Sequence, residues 1–229
     1  MAGHDPTGPA GNERKELRLA VLISGTGRTL ENLIMLSKRG ELPARIVTVV
    51  SSRTDVRGNE IAEQAGIPLA VVPRRAFKST EAFSAAIYDA LLPLDIDLVV
   101  MAGFLCKITV HPAFEGRIMN IHPSLLPLFG GKGLYGDRVH ESVLESGMKV
   151  SGCTVHFVDE SYDAGPIILQ SAVPVIDGDT PSTLAARVFL EECRIYPEAI
   201  RLFATGRLRI DGHRVRILPA NGIPNLTAR

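Results

Sequence analysis

Short apolar runs alternate along the chain with segments in which apolar residues recur every three or four positions. The runs predict buried strands, because they are continuous and bounded by glycine or proline, and the periodic segments predict amphipathic helices. The expected strands read LRLAVLI, ARIVTVVSS, PLAVVP, DLVVMAG, GRIMNIH, KVSGCTVHFVDE and IILQSAVPVI, and LRIDGHRVRI is expected to form a terminal hairpin. Strands alternating with helices predict an α/β fold with a doubly wound, mostly parallel, Rossmann-like sheet.

Neither a repeat nor an internal linker divides the patterned part of the chain. Residues 17–218 are therefore predicted to form a single domain. Residues 1–16 are rich in glycine, proline and charge and are expected to be a disordered leader, and residues 219–229 a loose tail. The last long helical segment is expected to be interrupted or bent at Pro197.

Composition and charge exclude several classes of protein. The chain has 229 residues, of which 45% are hydrophobic, and 25 basic residues balance 25 acidic ones, so it lacks the overall charge of a nucleic-acid binder. It has no run of about 18 apolar residues and no secretory signal, so no membrane span is expected. The three cysteines form no CxxC and predict reduced thiols in a cytoplasmic protein, and the six histidines form no HExxH, so no metal site is expected.

Two polar residues, Asn120 and His122, stand at the end of the predicted strand GRIMNIH. The two-residue period of a strand places both side chains on one face, and Pro123 keeps His122 extended and ends the strand. An amide donor beside an imidazole suits stabilisation of an oxyanion together with proton transfer. The plainer alternative at such a position is a hydrogen-bonded structural histidine.

The stretch SGTGRT, Ser24–Thr29, lies between a predicted strand and a predicted helix. Glycines that turn backbone N–H groups toward an anion, next to a helix N-terminus, are typical of a phosphate site. Leu30 stands where a dinucleotide fingerprint has its third glycine, and the GK[ST] of a P-loop is absent, so a single phosphate is favoured. The alternative is a plain tight turn with Thr29 as helix cap.

A third stretch, HFVDESYDAGP, places Asp159, Glu160 and Asp163 just after a strand. A carboxylate near an imidazole favours the protonated imidazole, although Asp-Ala-Gly-Pro is also a plausible plain turn. Ser124 follows the histidine strand closely, but the GxSxG elbow of a serine nucleophile is missing.

Four stretches together, NIHPSLLP, SGTG, VSGCTVHFVDESYDAGPIILQ and EECRIYP, resemble the phosphoribosylglycinamide formyltransferases over about residues 17–218. HPSLLP alone marks the wider superfamily of folate-dependent formyltransferases. The resemblance implies transfer of the formyl group of 10-formyltetrahydrofolate to the amine of glycinamide ribonucleotide in de novo purine (IMP) biosynthesis. It also implies a Rossmann-like formyltransferase fold, small-molecule substrates, no metal, no nucleic-acid or membrane partner, and a monomer or homodimer.

The resemblance assigns the family's catalytic residues to Asn120, His122 and Asp163. His122 would donate a proton and, with Asn120, stabilise the oxyanion formed when the amine attacks the formyl carbon. Asp163 would keep His122 protonated and help to move protons through water.

The substrate-binding positions of the family also fall on this chain. Phosphate contacts fall on Ser24, Gly25, Thr26, Gly27, Arg28 and Thr29, and recognition of the glycinamide end falls on Glu192. Arg28 replaces a small Ser or Asn that is frequent in the family, so it either strengthens phosphate binding or obstructs the loop. Folate contacts fall on Leu105, Cys106, Lys107, Ile108, Asn120, Asp159, Glu160, Ser161, Tyr162 and Asp163.

Several alternatives stay open at this point. Formyltetrahydrofolate deformylase shares the Asn-His-Asp set but carries an added N-terminal domain, for which about 16 residues are too few. Methionyl-tRNA formyltransferase carries a C-terminal RNA-binding domain, and a sugar-nucleotide formyltransferase needs a diphosphate site. A catalytically silent binder of nucleotides or folates has no need of all three catalytic residues.

Overall fold

The computed structural model describes residues 16–220, so the predicted leader and tail lie almost wholly outside it. The strands are β1 (Leu17–Ile23), β2 (Ala44–Ser51), β3 (Leu69–Val71), β4 (Leu98–Met101), β5 (Ile118–His122), β6 (Val150–Phe157), β7 (Ile167–Pro174), β8 (Leu208–Asp211) and β9 (Arg214–Ile217). The helices are α1 (Arg28–Lys38), α2 (Arg57–Gln64), α3 (Thr80–Leu91), α4 (Asp137–Glu145) and α5 (Pro181–Ala204).

All these strands belong to one nine-stranded sheet in the order β3-β2-β1-β4-β5-β6-β7-β9-β8. Strands β1 to β5 are parallel, β6 is antiparallel to both β5 and β7, and the terminal hairpin β8–β9 joins the far edge. The predicted doubly wound, mostly parallel sheet is confirmed. The chain reverses its direction of winding between β1 and β4, and such a reversal opens a crevice at the carboxyl ends of the strands.

Both faces of the central strands are covered by helices. In β1, Leu19, Val21 and Ile23 belong to a core that also includes buried residues of α1, α2, α4 and α5. Ala20 and Leu22, on the opposite face, pack in a second core with residues of α3. A strand buried on both sides needs a continuous apolar run, which is why the sequence LRLAVLI shows no alternation.

Helix α5 runs without interruption through Pro197, so the interruption, one of the two predicted outcomes, is wrong, and the bend stays a prediction. A proline lacks the N–H that would bond the carbonyl four residues earlier, here that of Cys193. The side-chain amide of Asn32 on α1 donates to this carbonyl at 3.2 Å. The helix therefore continues because a neighbouring helix satisfies the group that the proline leaves unpaired.

The buried Tyr196 anchors α5 against the sheet. Its hydroxyl lies 2.9 Å from the carbonyl oxygens of both Met101 at the end of β4 and Met119 in β5. One face of α5 is thereby held over the crevice where the winding of the sheet reverses.

Candidate active site

A cleft of about 760 Å³ opens at the carboxyl ends of the central strands. It is lined by the loops that follow β1, β4, β5 and β6, by the start of α4 and by one face of α5. With the exception of Ser24 and Glu160, all the site residues predicted from the sequence line this cleft. The topology thus brings together stretches that are far apart along the chain.

Asn120 is held in the cleft by a histidine on the neighbouring strand. The antiparallel register places Asn120 directly opposite His156, and the Asn120 Nδ2 lies 3.1 Å from the His156 Nε2. Burial lowers the pKa of His156, so its ring is neutral near pH 7. The His156 Nδ1 lies 2.8 Å from the Phe157 carbonyl and donates to it, so Nε2 accepts from Asn120 and fixes the plane of its amide.

His122 is buried and has a defined hydrogen-bonding state. Its Nε2 lies 2.8 Å from the carbonyl oxygen of Phe129, to which it donates. Its Nδ1 faces the Asp163 Oδ2 at 3.6 Å, which is close enough for charge pairing and too long for a hydrogen bond. Since Nε2 is engaged by a backbone carbonyl, Nδ1 is the ring nitrogen of His122 that faces Asp163 and the cleft.

Asp163 faces two imidazoles from a strained turn. It has a left-handed backbone with φ 50, and its Oδ2 accepts from the Gly131 N–H at 2.9 Å. Its Oδ1 lies 3.8 Å from the His156 Nε2. A side chain at Gly165 would collide with the Phe157 carbonyl, so the Asp-Ala-Gly-Pro turn needs this glycine to close against β6. We name Asn120, His122, His156 and Asp163 the catalytic cluster, after the role predicted for Asn120, His122 and Asp163.

The turn that follows β5 is fixed by polar side chains. The Thr154 Oγ1 donates to the Ser124 carbonyl at 2.7 Å and accepts from the Leu126 N–H at 3.0 Å. The fully buried Ser124 donates its hydroxyl to the Leu128 carbonyl at 2.6 Å. Ser124 therefore shapes the turn, in agreement with the weak sequence signal for a serine nucleophile.

The segment predicted to bind phosphate, Ser24–Thr29, is called the phosphate loop below, and it folds tightly against the start of α2. Gly27 has φ 74, and a Cβ there would lie 2.7 Å from the Gly58 Cα. The Gly58 N–H also donates to the Gly25 carbonyl at 3.1 Å. Helix α1 starts after Gly27 with no side-chain cap, so Thr29 is not the cap that the plain-turn alternative requires, and the first N–H groups of α1 remain available to an anion.

Ser24 holds the phosphate loop through hydrogen bonds on its buried side. Its Oγ lies 2.6 Å from the Ser52 Oγ and accepts from the Leu105 N–H at 2.9 Å. The residue is 1% exposed. Its hydroxyl therefore links the loops after β1, β2 and β4 and does not line the cleft.

Arg28 on α1 meets Phe189 and Glu192 on α5 where these two helices line the cleft together. The Arg28 guanidinium carbon lies 3.7 Å above the centroid of the Phe189 ring. Glu192 follows one turn later on α5, and burial raises the pKa of its carboxyl to about 7, an effect that the charge of Arg28 opposes. The site thus holds a fixed cation near the loop and a carboxyl that changes its charge near neutral pH.

The two segments predicted to bind folate meet across the other side of the cleft. The Lys107 Nζ lies 5.3 Å from the centroid of the Tyr162 ring, and the Glu160 carboxylate accepts from the Val110 N–H at 3.0 Å. Glu160 therefore ties the two segments together, whereas Tyr162 and Lys107 line the cleft between them.

A second cavity of about 520 Å³ adjoins the cleft, with Leu105, Cys106 and Tyr135 lining both. It lies at the carboxyl ends of β1, β2 and β3 and contains three arginines and one carboxylate, Arg53, Arg74, Arg75 and Asp55. Its balance of charge is therefore positive.

Among the cleft residues that sequence reasoning missed, three bear on its chemistry. His156 lies within the stretch HFVDESYDAGP, but its partnership with Asn120 depends on the register between β5 and β6. Phe189 sits two residues before EECRIYP and gave no chemical signal. His140 on α4 is buried, lines the cleft and has a pKa lowered by burial, and its Nδ1 has no hydrogen-bond partner among the described residues.

Metal-binding groups and membrane spans are both absent from residues 16–220. In that part of the chain, no three His, Cys, Asp or Glu side chains are grouped so as to hold a metal ion. Among the helices of the same residues, none has the length and hydropathy of a membrane span.

Comparison with known proteins decides the family. Residues 17–200 match the formyl transferase family. This chain belongs to that family. The trifunctional purine biosynthetic protein adenosine-3 of Bos taurus is 46% identical to this formyl transferase over 199 residues, which cover 86% of the chain and 19% of the relative. The chain therefore spans about a fifth of the length of that relative.

Two shorter relatives match along nearly their whole length. The phosphoribosylglycinamide formyltransferase of Haemophilus influenzae is 39% identical over 214 residues, covering 91% of this formyl transferase and 99% of the relative. The crystal structure of glycinamide ribonucleotide transformylase 1 from Symbiobacterium toebii superimposes with a TM-score of 0.83 at 44% identity, covering 94% of this chain and all of that one. A formyltetrahydrofolate deformylase from Pseudomonas syringae has a TM-score of 0.79 at 24% identity, covering 90% of this chain and 67% of that one, and shares the fold alone.

Proposed function

We propose that this formyl transferase is a phosphoribosylglycinamide formyltransferase. It passes the formyl group of 10-formyltetrahydrofolate to the amine of glycinamide ribonucleotide, a step of de novo purine biosynthesis. The observation that carries the proposal is the position of the catalytic cluster. Asn120, His122 and Asp163 converge between a phosphate loop on one side and two donor-binding segments on the other.

The chemistry follows from the hydrogen bonds of the cluster. As the amine nitrogen attacks the formyl carbon, the carbonyl oxygen gains negative charge, which the Asn120 amide and the His122 Nδ1–H stabilise. The amine must lose a proton and N10 of the folate must gain one as the C–N bond to the folate breaks. His122 at Nδ1, paired with Asp163 at 3.6 Å, is placed to carry that proton, and water near the Asp163 carboxylate completes the transfer.

The acceptor is supported by the opposite wall of the cleft. The uncapped start of α1, the glycine turn of the phosphate loop and the Arg28 guanidinium together favour one phosphate dianion. Glu192, on the same side of the cleft, offers its carboxyl to the glycinamide amine.

The donor is supported by the two cavities taken together. A pterin fits the cleft between Lys107–Ile108 and Asp159–Asp163, where main-chain and side-chain polar groups of both segments can form hydrogen bonds to it. A folate also carries an anionic glutamyl tail. The adjoining cavity, with Arg53, Arg74 and Arg75 on its walls, offers guanidinium partners for those carboxylates.

Dependence of donor turnover on the acceptor tests the proposal. The purified protein is mixed with 10-formyltetrahydrofolate, with and without glycinamide ribonucleotide, and release of tetrahydrofolate is followed by absorbance. We expect release only in the presence of the amine. Equal release without the amine would identify a deformylase, and no release under either condition would identify a binding protein without catalysis.

A further inference from the structure

The Arg28 side chain, at the first residue of α1, is fixed by an aromatic ring on another helix. Its guanidinium carbon stands 3.7 Å from the centroid of Phe189, a distance that places the planar cation flat on the ring. Arg28 is exposed, whereas Phe189 is half-buried in the wall of the cleft. An exposed arginine normally samples many rotamers, so this stacking limits where the guanidinium can go.

Stacking leaves the donors of the guanidinium unused. A guanidinium flat on a ring points its five N–H groups outward in the plane, and five donors in a rigid fork match a phosphate. Within residues 16–220, the stack on Phe189 is the direct side-chain contact of the Arg28 guanidinium, and the Glu192 carboxyl acts on it through charge alone. The fork is therefore available to a ligand in the cleft.

The position of the ring on α5 also matters. Phe189 and Glu192 are three residues apart and lie on the same face of the helix, and both line the cleft. Tyr196 anchors that helix through its hydrogen bonds to Met101, the last residue of β4, and to Met119 in β5. A single turn of α5 therefore carries both the ring that stacks on the Arg28 guanidinium and the Glu192 carboxyl.

We propose that Phe189 is a positioning residue that holds Arg28 over the phosphate loop, and that this pair makes the enzyme selective for a phosphorylated amine over its unphosphorylated counterpart. The inference rests on the proposed function for the identity of the acceptor. It resolves the two alternatives for Arg28, because an arginine held against α5 strengthens phosphate binding and does not obstruct the loop.

A double-mutant cycle tests the pair. Steady-state KM values are measured for glycinamide ribonucleotide, for its unphosphorylated riboside and for the folate, with the wild type, Arg28→Ala, Phe189→Leu, Phe189→Tyr and Arg28→Ala/Phe189→Leu. We expect Arg28→Ala to raise the KM for the ribonucleotide about 30-fold, since a charge-assisted contact is lost. Phe189→Leu should raise it about threefold, since the stack alone is lost, and Phe189→Tyr should restore the wild-type value.

The pattern of the effects distinguishes loss of the position of Arg28 from a general disruption of the active site. In the Arg28→Ala background, Phe189→Leu should have no further effect on the KM for the ribonucleotide. The KM for the riboside, the KM for the folate and kcat should each change less than twofold. Leu190→Ala is the matched control, because Leu190 is the next residue of α5 and is 70% exposed outside the cleft, and it should match the wild type.

Two results would overturn the inference. One is a lower KM for the ribonucleotide in Arg28→Ala, which would mean that the arginine obstructs the loop. The other is an equal effect of Phe189→Leu with and without Arg28. If the wild type formylates neither amine, the proposed function fails, and the affinity for inorganic phosphate, measured by calorimetry on the same variants, then tests the pair alone. If Phe189→Leu unfolds, Arg28→Lys replaces it, because lysine keeps the charge but lacks the planar fork. We expect Arg28→Lys to raise the KM for the ribonucleotide about tenfold.

Discussion

The catalytic cluster and the phosphate loop lie on two sides of one cleft and are built by different means. Side chains build the cluster: the Asn120 amide is fixed by His156, and one carboxylate, Asp163, faces two imidazoles. Backbone builds the loop, where Gly27 approaches the Gly58 Cα so closely that neither position has room for a side chain.

Because the two regions are built differently, substitutions in them should affect different properties of the protein. Under the proposed function, a substitution in the cluster removes a charge or a hydrogen bond from the reacting groups and leaves the fold intact, so we expect its effect on turnover. A substitution in the loop acts first on packing and backbone conformation, so we expect its effect on stability and on binding of the proposed acceptor.

The largest effect is expected at Asp163. Asp163→Asn keeps the size of the side chain and tolerates the left-handed backbone, but it removes the charge that faces the His122 Nδ1 at 3.6 Å. We expect kcat to fall about 1,000-fold, within the range for lost acid–base catalysis. The melting temperature should stay within about 3 °C of the wild type. The same substitution at the exposed Asp177, which pairs with Lys149, is the control and should leave kcat unchanged.

The loop is best tested with two glycines only two residues apart. Gly27→Ala introduces a Cβ into a left-handed residue at 2.7 Å from the Gly58 Cα, and we expect it to reduce the free energy of unfolding by about 3 kcal/mol. Gly25→Ala meets no atom within 4 Å and should change stability by less than about 0.5 kcal/mol.

The measurement is urea denaturation of both variants, combined with KM for the acceptor. Gly25→Ala should raise the acceptor KM and leave the folate KM unchanged, because the added methyl group occupies the cleft side of the loop. Equal loss of stability in the two variants would show that the close approach of Gly27 to Gly58 does not hold the loop together.

Glu192 lines the cleft on the side of the phosphate loop, and the ionisation of its carboxyl affects stability. Burial raises its pKa from the ordinary 4.5 to about 7, so the folded state resists ionisation of this carboxyl. Below pH 4 the group is protonated in both the folded and unfolded chains and has no effect. As the pH rises from 4.5 to 7 the unfolded chain ionises first, so stability falls, and above pH 7 the full penalty applies.

Glu192→Gln should therefore stabilise the protein at pH 8 by about 2 kcal/mol, a value reduced from the full shift because the residue is partly exposed. At pH 4 the variant and the wild type should unfold at the same urea concentration. The acceptor KM at pH 8 should rise, since the carboxylate is lost. A variant less stable than the wild type at pH 8 would contradict the assignment of burial as the cause of the shift.

The smallest effect is expected for substitution of His156, the residue that fixes the Asn120 amide. His156→Phe removes the acceptor for the Asn120 Nδ2 at 3.1 Å and conserves an aromatic ring. We expect kcat to fall about tenfold, because one oxyanion donor is less well oriented and not lost. His140→Phe is the matched control: His140 is also buried and lines the cleft, but its Nδ1 has no partner among residues 16–220, and kcat should change less than twofold. Equal losses in both variants would show that His156 acts only through packing.

Local sequence patterns predicted most of this architecture. The strand β1 agrees with the apolar run LRLAVLI residue by residue, because a fully buried strand has a strong signal in composition alone. Asn120 and His122 both lie in β5 and line the cleft, and the strand end that places them follows from a local rule, the stop at Pro123.

Contacts that depend on register or on distant helices could not be predicted. The partnership of Asn120 with His156 requires the antiparallel register of β5 and β6, and nothing local encodes it. The continuity of α5 through Pro197 depends on Asn32, which is 161 residues from the carbonyl that it satisfies. The stack of Arg28 on Phe189 joins two helices in the same way.

The central claim is that this cleft delivers a formyl group to an amine and not to water. The most direct test uses 10-formyltetrahydrofolate with a ¹³C label in the formyl carbon, with saturating glycinamide ribonucleotide, and NMR detection of the labelled product. The account predicts one labelled amide on the ribonucleotide for each tetrahydrofolate released, with no labelled formate. Labelled formate in proportion to tetrahydrofolate, and none on the amine, would contradict it.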